Sequence, residues 1–200
     1  MSEVKASRST ARGRLLAAAA ECFYARGVQA TGIDTITAAA GVAKMSLYNN
    51  FRSKDDLINA YLEARHEEWL AFYEQRLQSA GTAVERVLAV FDAYLDHAQD
   101  SYRHGFRGCG LLNAAAELPS EAAGRQIVRR HKEEVQALVA AHLVDTGIDP
   151  KRVTSMAEHL SLLLEGAMAR AGLEGESRLL VAARECASQI VHEALNDVSR

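Results

Sequence analysis

The chain has 200 residues and a mass of 21.8 kDa, with 48% hydrophobic residues, 24% charged residues and a net charge of −3. That composition excludes a disordered chain, and a chain of this length can hide about 70% of its extended surface without covalent staples. Three widely spaced cysteines (Cys22, Cys109 and Cys186) form no CxxC pair, which argues against a disulfide framework or a zinc site and points to a reducing cytoplasm. With Pro119 and Pro150 the only prolines, the chain is expected to be all-α rather than a many-turned β-sandwich. Arg12 and Arg14 precede the run Leu15–Ala20, but Glu21 ends it short of a signal-peptide core. No stretch of about 18 apolar residues occurs, so a cytoplasmic protein that is neither exported nor membrane-spanning is expected.

Charge is unevenly placed. Residues 1–54 carry eight basic residues (Lys5, Arg8, Arg12, Arg14, Arg26, Lys44, Arg52, Lys54) against Glu3, Glu21 and Asp34, a net of +5. The remainder carries 15 basic and 23 acidic residues, a net of −8. A basic head on an acidic body suggests a nucleic-acid-binding module, residues 1–54, joined to a second domain, residues 55–200.

In chain order, a first helix is expected from Thr10 to Arg26, with Leu15, Ala19 and Phe23 on one stripe and Gly27 as its stop. Thr31 and Asp34 imitate a capping box before a short helix, Ile33 to Ala40, with Ile36 and Ala40 inward. Gly41 suits a positive φ, with small Ala39 and Ala40 beside the crossing, and Lys44 to Phe51 gives a third helix anchored by Leu47 and Phe51. Ser53 can cap a fourth. Two short helices around one glycine make a helix-turn-helix pattern, leaving Lys44, Met45, Tyr48 and Asn49 facing outward for phosphate and base-edge contacts.

The segment Thr31 to Leu57, TGIDTITAAAGVAKMSLYNNFRSKDDL, resembles the signature of TetR-family transcriptional regulators, and Phe23, Gly27 and Val28 fit as well. The resemblance implies a homodimer that binds operator DNA through its heads and a small-molecule effector through its body. It implies that Lys44 and Met45 face bases and that Thr31, Tyr48 and Lys54 touch phosphates. Thr37 stands where many members have alanine, and Asn49 and Asn50 replace aromatic or histidine residues, which leaves the DNA preference open.

Helices then follow from Lys54 to Ser79, through Val84 to Ala98, from Leu111 to Leu118, from about Ser120 to Gly147, from Pro150 to Ala171 and from Ser177 to Asn196, about nine in all. The last two are apolar around most of their girth, so each is expected to be buried on two sides. We expect a partner subunit on the second side, meeting Met156, Leu160, Leu164, Ala187 and Ile190. Trp69, Tyr73, Phe91, Tyr94, Tyr102 and Phe106 gather half the aromatic side chains of the chain in the middle helices. They read either as core or, as the resemblance implies, as the lining of an effector cavity for a mainly apolar molecule. Asn113 reads equally as a polar ligand contact or as a capping or dimer-contact amide, and His131 as a ligand contact or a satisfied core histidine.

No cofactor and no metal is expected, and the chain does not read as an enzyme. Glu63-Ala64-Arg65-His66 matches half of a di-iron motif, but a second ExxH is missing. The functional expectation is a ligand-responsive, dimeric repressor on a palindromic operator. Its rivals are a redox-sensing regulator using Cys109, with Arg103, His104 and Arg107 near in sequence, and a helical metalloenzyme.

Overall fold

The computed structural model describes residues 10–99 and 105–198. Lys5, Arg8, Tyr102, Arg103 and His104 lie outside the described residues. Among those described, the chain forms helices α1 (Ala11–Arg26), α2 (Ile33–Ala40), α3 (Lys44–Asn50), α4 (Lys54–Leu77), α5 (Ala83–Gln99), α6 (Gly110–Glu117), α7 (Ala123–Asp145), α8 (Pro150–Glu174) and α9 (Arg178–Val198), and no strand. None of these helices is long and apolar enough to cross a membrane.

The helices gather into two compact units. One takes the residues up to Arg65 together with Gly110–Arg129, and the other takes His66–Cys109 and Arg130 onward. This division differs from a single boundary after residue 54, because α4 and α7 each contribute to both units.

In the first unit, Thr10 Oγ1 accepts the Gly13 N–H at 3.0 Å and starts α1. Leu15, Ala19 and Phe23 are buried along one stripe, and Phe23 meets Tyr61 edge-on with ring centres 5.5 Å apart. Gly41, at φ 63° and ψ 40°, ends α2 in the left-handed region and aims the chain into α3. Leu47 and Phe51, 0% and 1% exposed, pin α3 from beneath; each such burial stabilises by about 1.5–3 kcal/mol.

Two local expectations are corrected. The Thr31 hydroxyl donates to the carbonyls of Gly27 (2.7 Å) and Cys22 (3.2 Å), so no capping box forms and Gly32 takes the N-cap position. Ala39 is exposed; the buried small residues of α2 are Thr37 and Ala40. Thr37 satisfies its hydroxyl on the carbonyls of Ile33 (3.1 Å) and Asp34 (3.2 Å).

Helix α6 belongs to this unit although it lies far along the chain. A Cβ at Gly110 would sit 2.9 Å from the Tyr61 hydroxyl and 3.1 Å from Tyr24 Cδ2, so any larger residue would press on both tyrosines. At the other end of α6, the Gln29 N–H donates to Glu117 Oε2 (2.8 Å) and Gln29 Nε2 donates to the Glu117 carbonyl (3.2 Å).

In the second unit α5 packs along α9, and Arg184 grips Asp92 with two bonds of 2.5 and 3.1 Å. Asp149 caps α8 by accepting the Lys151 N–H at 2.9 Å, with Pro150 in the first turn. Gly175 (φ 74°) closes α8 and lets α9 return beside it.

Candidate nucleic-acid interface and buried polar cluster

The outer face of α3 carries the side chains that the sequence assigns to it. Lys44 and Asn49 are exposed, as are Met45 (67%) and Tyr48 (48%). Lys44 donates to the Asp34 carboxylate of α2 at 2.8 Å, and that bond holds the ammonium above its ordinary range. Asn50 spends its amide on the Ser46 carbonyl (2.7 Å), so Asn49 is the asparagine of this pair presented outward.

The flanks of α3 are fixed by cations. Arg12 donates to the Asn50 carbonyl (2.9 Å) and lies over the Phe51 ring, 4.3 Å from its centre. Lys54 Nζ donates to the Gln29 carbonyl at 3.4 Å, half-buried at the start of α4. Arg52, with 92% of its side chain exposed, pairs with Asp56, whose carboxyl is lowered first by the Arg52 backbone N–H. Thr31 is placed differently from its assigned phosphate contact: it is 1% exposed and its hydroxyl proton is committed to backbone carbonyls. Arg52 and the Asp34 partner of Lys44 were not singled out from sequence. Only their neighbourhood to basic residues could have suggested them.

In the second unit, Trp69, Tyr73, Tyr94 and His131 come together. The Trp69 ring stacks on Tyr73 (5.5 Å between centres, 2° between planes), tilts onto Tyr94 (5.5 Å) and meets His131 edge-on (5.4 Å). Phe91 and Phe106 are buried in the same unit. Asn113 is exposed on α6 in the first unit.

A line of hydrogen bonds runs through the cluster. Lys132 Nζ donates to the Tyr94 hydroxyl (3.1 Å), which lies 3.5 Å from His131 Nε2. His131 Nδ1 meets His66 Nδ1 at 2.9 Å, and His66 Nε2 faces Glu134 at 3.5 Å. One polarity satisfies every step without an added proton on either ring: Tyr94 donates to His131, His131 to His66, and His66 to Glu134. Burial, then the Lys132 charge, pushes the His131 pKa down to about 2 and keeps the ring neutral. Burial also drives the Tyr94 phenol up, so it remains a donor.

Lys132 additionally pairs with Glu165 of α8 at 2.7 Å and reaches Cys109 Sγ at 3.6 Å. Burial opposes its charge, but Cys109, Tyr94 and Glu165 outweigh burial and hold the ammonium well above its usual range. Two buried atoms of this cluster, the Trp69 indole N–H and Glu165 Oε2, have no hydrogen-bond partner among the described residues. Such groups are costly to leave unpaired in a closed interior. Sequence reading found the aromatic members and His131 but not Lys132, Glu165 or the pairing role of His66.

The last two helices require another correction. Met156, Leu160, Leu164 and Ala187, expected at a subunit boundary, are covered within this single chain at 6, 0, 1 and 0% exposure. A side chain with no surface left in one chain has none to offer a second. Ile190 is half-buried. The apolar surface that stays open on α8 and α9 includes a groove lined by Leu162, Leu163, Gly166, Leu179, Ala182 and Cys186, among others, with Leu162 65% exposed.

Comparison with known proteins agrees with the all-helical fold and its N-terminal helix-turn-helix. Residues 15–61 match the family model "Bacterial regulatory proteins, tetR family", and residues 83–186 match "Transcriptional regulator LmrA/YxaF-like, C-terminal domain". The crystal structure of SCO4454, a TetR-family transcriptional regulator from Streptomyces coelicolor, is 34% identical with a TM-score of 0.81, over 99% of this chain and 96% of that one. The transcriptional activator FasR of Mycolicibacterium smegmatis is 36% identical over 99 residues, 48% of this chain and 45% of that protein. The transcriptional repressor KstR2 of Mycobacterium tuberculosis (strain H37Rv) is 32% identical over 104 residues, 50% of this chain and 52% of that protein. The chain thus spans about half the length of these curated relatives.

Proposed function

The chain belongs to the TetR family of DNA-binding transcriptional regulators and is not an enzyme, and from that premise we propose a cytoplasmic, dimeric repressor released from its operator by a small, mainly apolar molecule. The observation that carries the DNA-binding half is α3 itself. Leu47 and Phe51 lock its inner side while Lys44, Met45, Tyr48 and Asn49 stand clear on the outer one. A short helix so held can enter a major groove without losing its packing. Tyr48 and Lys54 set the register on phosphates, and Lys44, Met45 and Asn49 read bases.

Dimerisation uses the groove of α8 and α9 around Leu162, Gly166 and Leu179, because an open apolar strip on the last two helices suits a second copy of the same strip. Repression needs only occupancy of the operator by the two heads, and KstR2 is named a repressor. The effector acts in the second unit, where the unpaired Trp69 N–H among Tyr73, Tyr94 and His131 offers a hydrogen bond to a molecule otherwise held by aromatic contact.

Selection of binding sites from random DNA tests the reading. The expected product is a near-palindrome with half-sites one helical turn apart, about 34–36 Å, bound by a dimer. A single unpaired half-site, or a monomer at micromolar concentration, would overturn the two-headed operator. The effector is then sought by release of that DNA with a metabolite panel. A hundredfold release requires about 2.7 kcal/mol of preference for the DNA-incompetent state, and saturating operator must weaken effector affinity by the same factor.

A further inference from the structure

We propose that Cys109 and Lys132 form an oxidant-driven covalent crosslink, a sulfur–nitrogen bond made at the expense of a hydroperoxide. The two reacting atoms are 3.6 Å apart, close to van der Waals contact, before any reaction. Both are held. Lys132 is fixed by Glu165 Oε1 (2.7 Å) and the Tyr94 hydroxyl (3.1 Å), with 18% of its side chain exposed. Cys109 is fixed through the residue before it: a Cβ at Gly172 would lie 2.6 Å from Gly108 Cα, and a Cβ at Gly108 would lie 3.2 Å from the Met168 carbonyl. The backbone carrying the thiol is therefore clamped against α8, and the sulfur has little freedom to swing away from the amine.

The chemistry closes on the groups present plus the peroxide. Cys109 sulfur attacks one peroxide oxygen, the O–O bond breaks, and the thiol becomes a sulfenic acid while the peroxide leaves as an alcohol or water. Lys132 passes one proton to Glu165 Oε1, and its freed lone pair attacks the sulfur. The sulfenic oxygen departs with a second amine proton as water, and Glu165 keeps the proton it received, so no unpaired charge is left behind. Sulfur is oxidised by two electrons and the peroxide is reduced by two. A thiol reductant reverses the product, first forming a mixed disulfide and then restoring Cys109 and Lys132. Cys109 is only 7% exposed, which favours a small peroxide over a bulky disulfide as oxidant.

The position gives the bond a consequence. Cys109 directly precedes Gly110, the first residue of α6, whose seat in the head is tight: a Cβ at Gly110 would lie 2.9 Å from the Tyr61 hydroxyl. Drawing the sulfur from contact to bonding distance pulls on that first residue along the backbone. Oxidation then weakens operator binding without any effector.

The test uses the full chain with Cys22→Ser and Cys186→Ser, so that Cys109 is its only sulfhydryl. Hydrogen peroxide should remove about 2 Da from the monomer mass and yield one linked peptide containing Cys109 and Lys132. Dithiothreitol should reverse both changes. Lys132→Arg, which keeps the charge beside Glu165, should gain about 16 or 32 Da instead. Because that variant could be destabilised, Cys109→Ser in the native chain supplies the second control and should show no loss of mass. A gain of oxygen in the two-serine protein, or a loss of about 2 Da that survives Lys132→Arg, would overturn the crosslink. Operator affinity of the linked protein should drop at least tenfold and recover with reductant; unchanged affinity would overturn its regulatory role.

Discussion

Two lysine–carboxylate pairs of nearly equal length lie in the two units of this chain. Lys44 and Asp34 are 2.8 Å apart with 55% and 79% of their side chains exposed. Lys132 and Glu165 are 2.7 Å apart with 18% and 24% exposed. The first pair sits in water, where attraction is screened and the two side chains part freely. The second is enclosed by Tyr94, Cys109 and the aromatic cluster, where neither charge can be abandoned without the other. Distance alone therefore says little about what an ion pair does. The exposed pair can be exchanged for another partner, whereas the buried one holds α7 to α8.

The largest effect should separate the inside of α8 from its outside. Leu164→Asp places an unpaired carboxylate where the wild-type residue is 1% exposed, and should unfold the protein or leave it insoluble. Leu162→Asp, on the open groove two residues away, should fold normally, keep its helical circular dichroism and sediment as a monomer. A folded monomer from Leu164→Asp, or a dimer from Leu162→Asp, would return the interface to the residues now assigned to the core.

Next in size is the buried pair itself. Lys132→Met leaves Glu165 charged and without its partner, and should cost about 3–5 kcal/mol in a urea titration. The double change Lys132→Met with Glu165→Leu should recover most of that loss, because two apolar side chains no longer need each other. A single variant as stable as wild type would mean that water reaches the pair and that the contrast between the units is false.

A smaller effect follows from His131. Its folded pKa is depressed to about 2 by burial and by the Lys132 charge, so below its ordinary value near 6.5 the unfolded chain takes up a proton that the folded chain refuses. Stability should therefore be full above about pH 6.5 and decline as pH falls toward 2. In His131→Gln the decline of the urea midpoint from about pH 7 to about pH 5 should be shallower. It should not vanish, since burial lowers His142 as well. An unchanged slope would show that the ring is protonated in the folded state.

The head was legible because its helices are short and one-sided. In α3 the four-residue spacing of Leu47 and Phe51 defines the inner side, and the exposed residues follow by elimination. The Thr31 hydroxyl could not be read in the same way, since a threonine before a helix serves equally as a cap or as a donor to the preceding turn. In the second unit the aromatic members of the cluster were visible, but Lys132 and Glu165 were not. A charged residue on a helix defaults to solvent, and these two meet only because α7 and α8 bring together positions 33 residues apart. The girth of α8 gave a different ambiguity. Apolar residues around the whole helix say that two sides are covered, but not which side the chain covers itself. Leu160, Leu164 and Met168 turn inward, and Leu162 and Gly166 do not.

The smallest effect concerns the exposed pair and sharpens the contrast most. If Lys44 reads a base, it must release Asp34 first, and Asp34 acts as a brake on every binding event. Asp34→Asn removes the competing charge and should tighten operator binding by roughly two- to five-fold at low salt, less as salt screens the pair. Asp34 is also an anion near the proposed DNA surface, so its removal would also ease repulsion from phosphates. A double-mutant cycle divides the two causes. In a Lys44→Ala background, relief of competition has nothing to act on and the gain from Asp34→Asn should disappear, whereas relief of repulsion would persist undiminished. Site selection should report the same distinction: Lys44→Ala shifts the base preferred at one position of each half-site, while Asp34→Asn leaves the preferred sequence as it was. A gain from Asp34→Asn that ignores Lys44 would remove the lysine from base reading and leave Met45 and Asn49 as the readers.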